Sequence, residues 1–280
     1  MELNFPVEKA VRARSSIRTY EDRPLSSETK DQLNAYISTL SNPFSVDVSF
    51  CLLESASAVN GEKLGTYGVI KGARDFIGAA VEDGDLALEA LGYSFEKLIL
   101  YAASIGLGTC WLAGTFKRGQ FAKAMAVKDN ELFPAISPVG YPLGKARFSD
   151  TISRKFAKSD SRRDWNELFF KDDFSKPLSQ AEAGSFAFPL EMLRLAPSAA
   201  NKQPWRIVQC GNCYHFYKTK PSGYMSLAEL DIQKVDIGIA ACHFHLAALE
   251  KDLAGSFEKL PMPDIRTPAH EQYIFSWVAK

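Results

Sequence analysis

The phrase "RPLSSETKDQLNAYISTL" beginning at residue 23 returns as "KPLSQAEAGSFAFPLEMLRL" at residue 176, an offset of 176 − 23 = 153 in a chain of 280. Each copy opens on a serine suited to cap a helix, followed by apolar residues at helical spacing. Segments rich in β-branched and aromatic residues follow in both, "SVDVSFCLLE" and "WRIVQCGNCYHFYK", and read as strands. Next come two long apolar helical runs closed by glycine, "LALEALGYSFEKLILYAASIGLG" and "VDIGIAACHFHLAALEKDLAG". A further strand-like run lies downstream of each, "PAISPVGY" and "YIFSWVAK". Two unrelated halves could share a short phrase, but the shared order of elements favours two diverged copies of one α+β unit. The first would occupy residues 1–165 and the second 166–280, joined around "SRRDWNELFFKDDFSKPLS". Such halves should pack as a two-fold dimer does, with a site in the seam between them.

With 46% hydrophobic residues the chain can bury a sizeable core. Its 33 basic and 33 acidic residues balance, which argues against nucleic acid or an anionic membrane surface as partner. A negatively charged ligand must therefore be met locally. The opening "MELNFPVEKAVRAR" lacks an apolar signal core, and no apolar run approaches the roughly 20 residues of a membrane span. A cytoplasmic chain is expected, with its five cysteines reduced.

The two copies differ in what they carry. "RARSSIRTY" at 12–20 concentrates Arg14, Ser15, Ser16 and Arg18, whereas the second copy has "FFKDDFS" at the corresponding place. On a helix Arg14 and Arg18 would share one face; the plainer reading is a solvated basic helix start. Conversely "RLAPSAANKQPWRIV" brings Pro197, Ser198, Ala199 and Asn201, where the first copy has "STLSNPFSVDVSF". Asn201 offers both an amide donor and an acceptor, although the phrase also reads as a helix-terminating turn. In "ASIGLGTCWLAGTF", the small residues around Leu112, Ala113 and Gly114 let backbone approach a flat ligand, or simply lead a capped helix into a buried strand. One composite site could take a part from each half. Its symmetry-related counterpart would have neither.

Together "RxSxR", "PSAxNxQPW" and "GLGTCWLAGTF" resemble the flavin-dependent nitroreductase family, and the repeat resembles its tandem-fused, single-chain branch. The resemblance covers nearly the whole chain, and the proline-serine-asparagine phrase is its most specific element. It implies a nitroreductase-like α+β fold: two tandem copies, each a mostly antiparallel sheet flanked by helices, packed as an intrachain pseudo-dimer and therefore a monomer. It also implies one FMN in the seam. Arg14 and Ser16 would hold phosphate and ribityl with planar, permanently charged donors or a hydroxyl. Arg18 would reach the N1/O2 edge, where a cation favours reduced flavin. The 197–201 loop would approach from the opposite half, and the amides of Ala113 and Gly114 would lie near N5 and O4. Ala113 stands where family members often carry an acid, which puts a side-chain role there in doubt. Arg162 and Arg163 match the family's C-terminal phosphate-binding residues, or form a charged linker face. Tyr67 and Gly68 match a stretch near the pyrimidine edge.

The implied activity is an FMN-dependent NAD(P)H oxidoreductase working by ping-pong on a nitroaromatic, quinone or similar small acceptor. An FMN carrier without turnover is the alternative, and a relative that has lost FMN is a third reading. No side chain is singled out as a catalytic acid or base. Cys210 and Cys213 form a CxxC, but "VQCGNCYHFY" reads as a hairpin, and "CHFH" at 242–245 reads as core rather than a metal site. No GxGxxG follows a strand, so a resident dinucleotide is not expected.

Overall fold

The computed structural model describes residues 3–55, 64–144, 161–220 and 230–280. The first half runs α1 (Val7–Ala13), α2 (Ser27–Ser38), β1 (Val48–Glu54), β2 (Asp75–Glu82), α3 (Ala87–Ser104), β3 (Gly108–Thr109), α4 (Arg118–Met125) and β4 (Glu131–Gly140). The second runs α5 (Trp165–Leu168), β5 (Phe169–Lys171), α6 (Gln180–Ala183), α7 (Ala187–Arg194), β6 (Trp205–Cys210), β7 (Cys213–Thr219), α8 (Ile232–Glu250), β8 (Gly255–Glu258) and β9 (Glu271–Ala279). The first sheet has the order β1-β2-β4-β3, antiparallel throughout. The second has β5-β6-β7-β9-β8, in which the last four strands repeat that order, again antiparallel. Only β5 is extra, pairing parallel along the edge of β6. The long helix follows the second strand of the order in each half, so topology as well as sequence repeats.

Local chemistry explains the element boundaries. Ser26 Oγ accepts the Thr29 N–H at 3.2 Å, and Ser179 with Glu182 closes a reciprocal capping box. The sequence predicts one helix after each serine. In the second copy it is interrupted: Gly184, at φ +55 and ψ −126, separates α6 from a one-turn 3₁₀ segment and α7. Helix α3 ends in a Schellman arrangement, with Leu107 N–H on Ala102 O at 2.9 Å and Gly106, at φ +83, on Ala103 O at 3.1 Å. That turn delivers the chain to β3. The CxxC lies on the β6–β7 hairpin, with Cys210 opposite Cys213 and a positive φ at Gly211, as glycine permits at the first central position of a II′ turn.

Helices α3 and α8 are buried nearly all round and form the centre of the molecule. Their approach is reciprocal. A Cβ on Gly92 would fall 2.2 Å from Val235 O, and one on Gly238 would fall 2.0 Å from Glu89 O. Val235 precedes Gly238 by three residues, as Glu89 precedes Gly92, so each helix presents the same patch to the other, as across a two-fold axis. Glycine is required at both positions because the backbones touch. A second tie crosses the halves where Glu250, at the end of α8, accepts the Val7 and Glu8 N–H groups that open α1, at 2.6 and 3.0 Å. The main core is correspondingly shared, uniting Leu33, Phe95 and Leu193 with Phe244 and Trp277. Among the described residues, no helix is long and apolar enough to cross a membrane.

Candidate functional site

A cavity of about 570 Å³ opens in the seam between the halves. That size falls within the roughly 300–1,000 Å³ of small-molecule sites. Arg14, Ser16 and Arg18 form one wall. The sequence treats them as a helix face, but α1 stops at Ala13 and Arg14 is extended, at φ −60 and ψ 126. Ser16 bridges Thr109 in parallel, and Ile17 N–H bonds Thr109 O at 2.8 Å, so the segment runs as a short strand beside β3. Extended backbone has a period of two, which places residues 14, 16 and 18 on one side. Ser15 accordingly does not line the cavity. Two of the guanidinium nitrogens on this wall, Arg14 Nε and Arg18 Nη1, are buried without a hydrogen-bond partner.

The second wall is the loop after β3. Trp111, Leu112, Ala113, Gly114 and Thr115 line the cavity. Leu112 and Ile136 exchange backbone hydrogen bonds at 2.9 and 3.0 Å, pinning the loop to β4. Arg118 donates to Ala113 O at 2.6 Å. Because a trans peptide holds C=O and N–H on opposite sides, this leaves the Gly114 N–H pointing away from Arg118.

The third wall comes from the other half: Pro197, Ser198, Ala199 and Asn201 with their neighbours Ala200 and Lys202. The loop is strained. Ala200, Asn201 and Gln203 adopt positive φ of 49, 54 and 51 without being glycine. A dense set of bonds over-determines it. Ser198 Oγ accepts Gln203 N–H at 2.8 Å, Asn201 Nδ2 donates to Ser161 O at 2.9 Å, and Gln203 Oε1 accepts Arg163 N–H at 2.8 Å. The Asn201 amide thus acts within the loop. Gln203 is buried within the loop, and Trp205 opens β6 wholly buried.

Arg162 lines the cavity, while its guanidinium donates to Leu195 O at 3.0 and 3.2 Å, closing the end of α7, and to Asn201 Oδ1 at 3.4 Å. Arg163 is not in the lining; its side chain pairs with Glu167 at 3.0 Å. Tyr67 and Gly68 also lie off the cavity, in a turn where Tyr67 is 68% exposed. These three and Ser15 are the sequence candidates that the fold does not bring to the cleft.

The floor was not foreseen. Ile232, Val235, Asp236 and Ile239 of α8 close the cavity. Asp236 Oδ1 accepts Ala199 N–H at 2.9 Å while Oδ2 is buried without a partner. Burial pushes this carboxyl up to about 8, against the opposing pull of the Ala199 N–H. The available signal was one acid in an otherwise apolar helical run, "VDIGIAA". His243 and His245 of the same helix are core residues, bonded to Glu96 and Tyr93. Among the described residues no cluster of metal-ligating side chains occurs.

The repeated α+β topology, with its arginine-lined cleft in the seam, has a counterpart among solved structures. One from Thermotoga maritima, described as "a putative nitroreductase", is 20% identical, with 99% of this chain and 95% of that chain covered, at a TM-score of 0.64. Two others match about half of this chain. An FMN-dependent nitroreductase from Clostridium difficile covers 53% of it and 95% of its own length, at 19% identity and TM-score 0.40. A nitroreductase with bound FMN from Bacteroides fragilis covers 51% and 91%, at 14% identity and TM-score 0.41. The family model described as "Putative TM nitroreductase" matches residues 6–248, and the chain belongs to that family. No curated protein matches the sequence.

Proposed function

We propose that the chain is an FMN-dependent NAD(P)H oxidoreductase whose single flavin sits in the seam cleft. The observation that carries this reading is the pairing of walls: two arginines with buried, unpartnered donors on one half face a strained, hydrogen-bonded loop on the other. Buried donors of a charged group cost on the order of 1–3 kcal/mol or more when left unmade, and a phosphate supplies acceptors for such a wall. The cleft residues therefore fit an anionic, flat cofactor.

In this mechanism Arg14 and Ser16 hold the phosphate and ribityl end, and Arg18 supplies the fixed cation that stabilises charge on the ring. Backbone at Ala113 and Gly114 would be free to approach the ring, since neither residue carries a large side chain. The loop at 197–201 closes the cleft from the other half, and Ile232, Val235 and Ile239 keep its floor dry. FMN, when bound, supplies hydride acceptance from NAD(P)H and transfer to an acceptor; the protein supplies binding, orientation and electrostatics. The acceptor class is a nitroaromatic, quinone or similar small molecule, served by ping-pong. Residues 1–165 and 166–280 are the two halves, and the chain acts as a cytoplasmic monomer because both parts of the site belong to it.

The test is an absorption spectrum of protein incubated with excess FMN and desalted, followed by anaerobic NADH and then NADPH. Retained flavin that bleaches supports the reductase. Retained flavin that does not bleach points to a carrier, and absence of saturable FMN binding overturns the reading.

A further inference from the structure

A buried polar cluster lies behind the cleft and joins its walls. Glu96 of α3 is wholly buried. Its Oε2 accepts the indole Nε1–H of Trp111 at 2.6 Å. Its Oε1 faces His243 Nε2 of α8 at 2.9 Å and stands 3.9 Å from Arg14 Nε. The other ring nitrogen, His243 Nδ1, faces Met192 O at 2.9 Å. A carbonyl only accepts, so Nδ1 carries a proton. Nε2 then meets a carboxyl oxygen, and a second proton must lie between Nε2 and Oε1 for that contact to be a hydrogen bond. The cluster is therefore an arginine, a carboxylate and an imidazole sharing one extra proton.

Such a cluster is costly to bury, and removing one partner alone leaves the remaining charge buried and uncompensated. Apolar side chains are accommodated beside it, at Phe95 of α3 and Phe244 of α8, so the site could itself have been apolar. What the cluster does instead is hold two residues that line the cleft on different walls, Arg14 and Trp111, from one oxygen each, while a residue of the opposite half anchors it. Arg14 makes no hydrogen bond at Nε, and the group facing that nitrogen is Glu96 Oε1 at 3.9 Å.

We propose that Glu96, anchored by His243 across the seam, is the positioning residue of the cleft: it aims Arg14 and Trp111 into the ligand space and couples that aim to the packing of the two halves. The proposal rests on the cleft being the ligand site argued above. Glu96 touches no ligand and is not a catalytic residue.

Glu96→Gln is the discriminating variant. Its amide oxygen can still accept from Trp111, and its NH₂ can donate to a neutral His243, so shape and hydrogen bonds survive while the charge facing Arg14 is lost. Two readouts are made together. In ligand-free protein the ¹⁵N spectrum of the arginine Nε–H groups, with Arg14 assigned by its absence in Arg14→Lys, should show a dispersed, slowly exchanging Arg14 signal that collapses toward exposed arginine in Glu96→Gln. FMN titration should show about tenfold weaker binding. An unchanged Arg14 signal, or FMN binding equal to or tighter than that of the wild type, overturns the proposal, because a carboxylate that merely neutralised Arg14 would release affinity when removed. Should the wild type fail to bind FMN, the functional reading falls, while the Arg14 signal still decides the positioning role. Should Glu96→Gln fail to fold, His243→Gln carries the test, since loss of the cross-seam anchor must loosen the same Arg14 signal; no change there overturns the proposal.

Discussion

The cleft and the region related to it by the pseudo-two-fold are built from equivalent positions with opposite results. Matching Gly92 to Gly238 sets an offset of 238 − 92 = 146 along the central helices, which makes Ile239 equivalent to Tyr93, Asp236 to Ala90 and Trp111 to Phe257. The earlier offset of 153 makes Pro197 equivalent to Phe44. On the open side Ile239, Trp111 and Pro197 border a cavity. On the closed side their counterparts touch: Phe44 packs against Tyr93 at 6.0 Å and against Phe257 at 5.6 Å between ring centroids, and Phe275 and Trp277 extend the cluster. Among the described residues no arginine wall faces this cluster, because the chain before the second capped serine is used in α5 and β5, the latter pairing along the edge of β6. Aromatic pairs contribute about 0.5–1.5 kcal/mol each beyond the area they bury. One symmetric position is therefore filled by packed rings and the other is left open.

Exchanging residues between the two regions should break this division most sharply. Ile239→Tyr introduces the ring of the closed side into the cleft and is expected to abolish FMN binding with little loss of stability, as followed by flavin fluorescence and urea unfolding. Tyr93→Ile leaves a void among the rings and orphans His245, which Tyr93 contacts at 2.8 Å; a loss of about 2–4 kcal/mol is expected, with FMN affinity retained. If Tyr93→Ile opened a second binding site, titration would reveal two flavins per chain.

Next in size is Arg14→Ala, expected to weaken FMN binding about 10- to 100-fold through loss of a charged hydrogen bond and also to lower the melting temperature, because buried Glu96 loses the cation facing it. Unchanged affinity would remove the phosphate assignment.

Asp236 and its equivalent Ala90 offer a comparison in pH. Burial raises the folded-state carboxyl to about 8, above the unfolded value of about 3.9. The native state thus binds the extra proton between these values, so the carboxyl's contribution is fully present below about pH 4 and is lost as pH rises through about 8. Asp236→Asn should flatten that slope, so that thermal melts from pH 5 to 9 show the wild type losing stability relative to the variant. Parallel curves would show that this carboxyl does not titrate as stated.

The smallest effect is expected from Asn201→Ala. Its amide bonds Ser161 O and Arg162 rather than facing the ligand, so relaxation of the strained loop should weaken FMN binding by about three- to tenfold. An effect here, in the half opposite Arg14, is what a composite site requires. Affinity insensitive to every second-half change would refute the composite site.

Much of the architecture was legible because it is written locally. Serine caps, the Gly106 terminus of α3, the Gly211 hairpin and the apolar runs of α3 and α8 are set by residues close in sequence, and their order exposed the repeat before any contact was known. Of the candidate site, Arg14, Ser16, Arg18, residues 112–114, Arg162 and four positions of the 197–201 loop were named from motifs, and these line the cleft. The same motifs also nominated Ser15, Tyr67, Gly68 and Arg163, which do not line it, because a motif records neighbours along the chain and not the direction a backbone turns them. The arginine wall shows the point: its residues converge because pairing with β3 makes the segment extended, and an isolated stretch of sequence carries no trace of that partner.

The sequence by itself determined the composition of two α+β halves and the residues able to meet an anion. Tertiary structure alone decided which symmetric position stays open, that burial raises the Asp236 carboxyl in the floor, and that Glu96 and His243 meet across the seam. Local propensity depends on near neighbours, whereas burial, charge state and the emptiness of a cavity depend on atoms brought together from distant positions, 147 residues apart for Glu96 and His243.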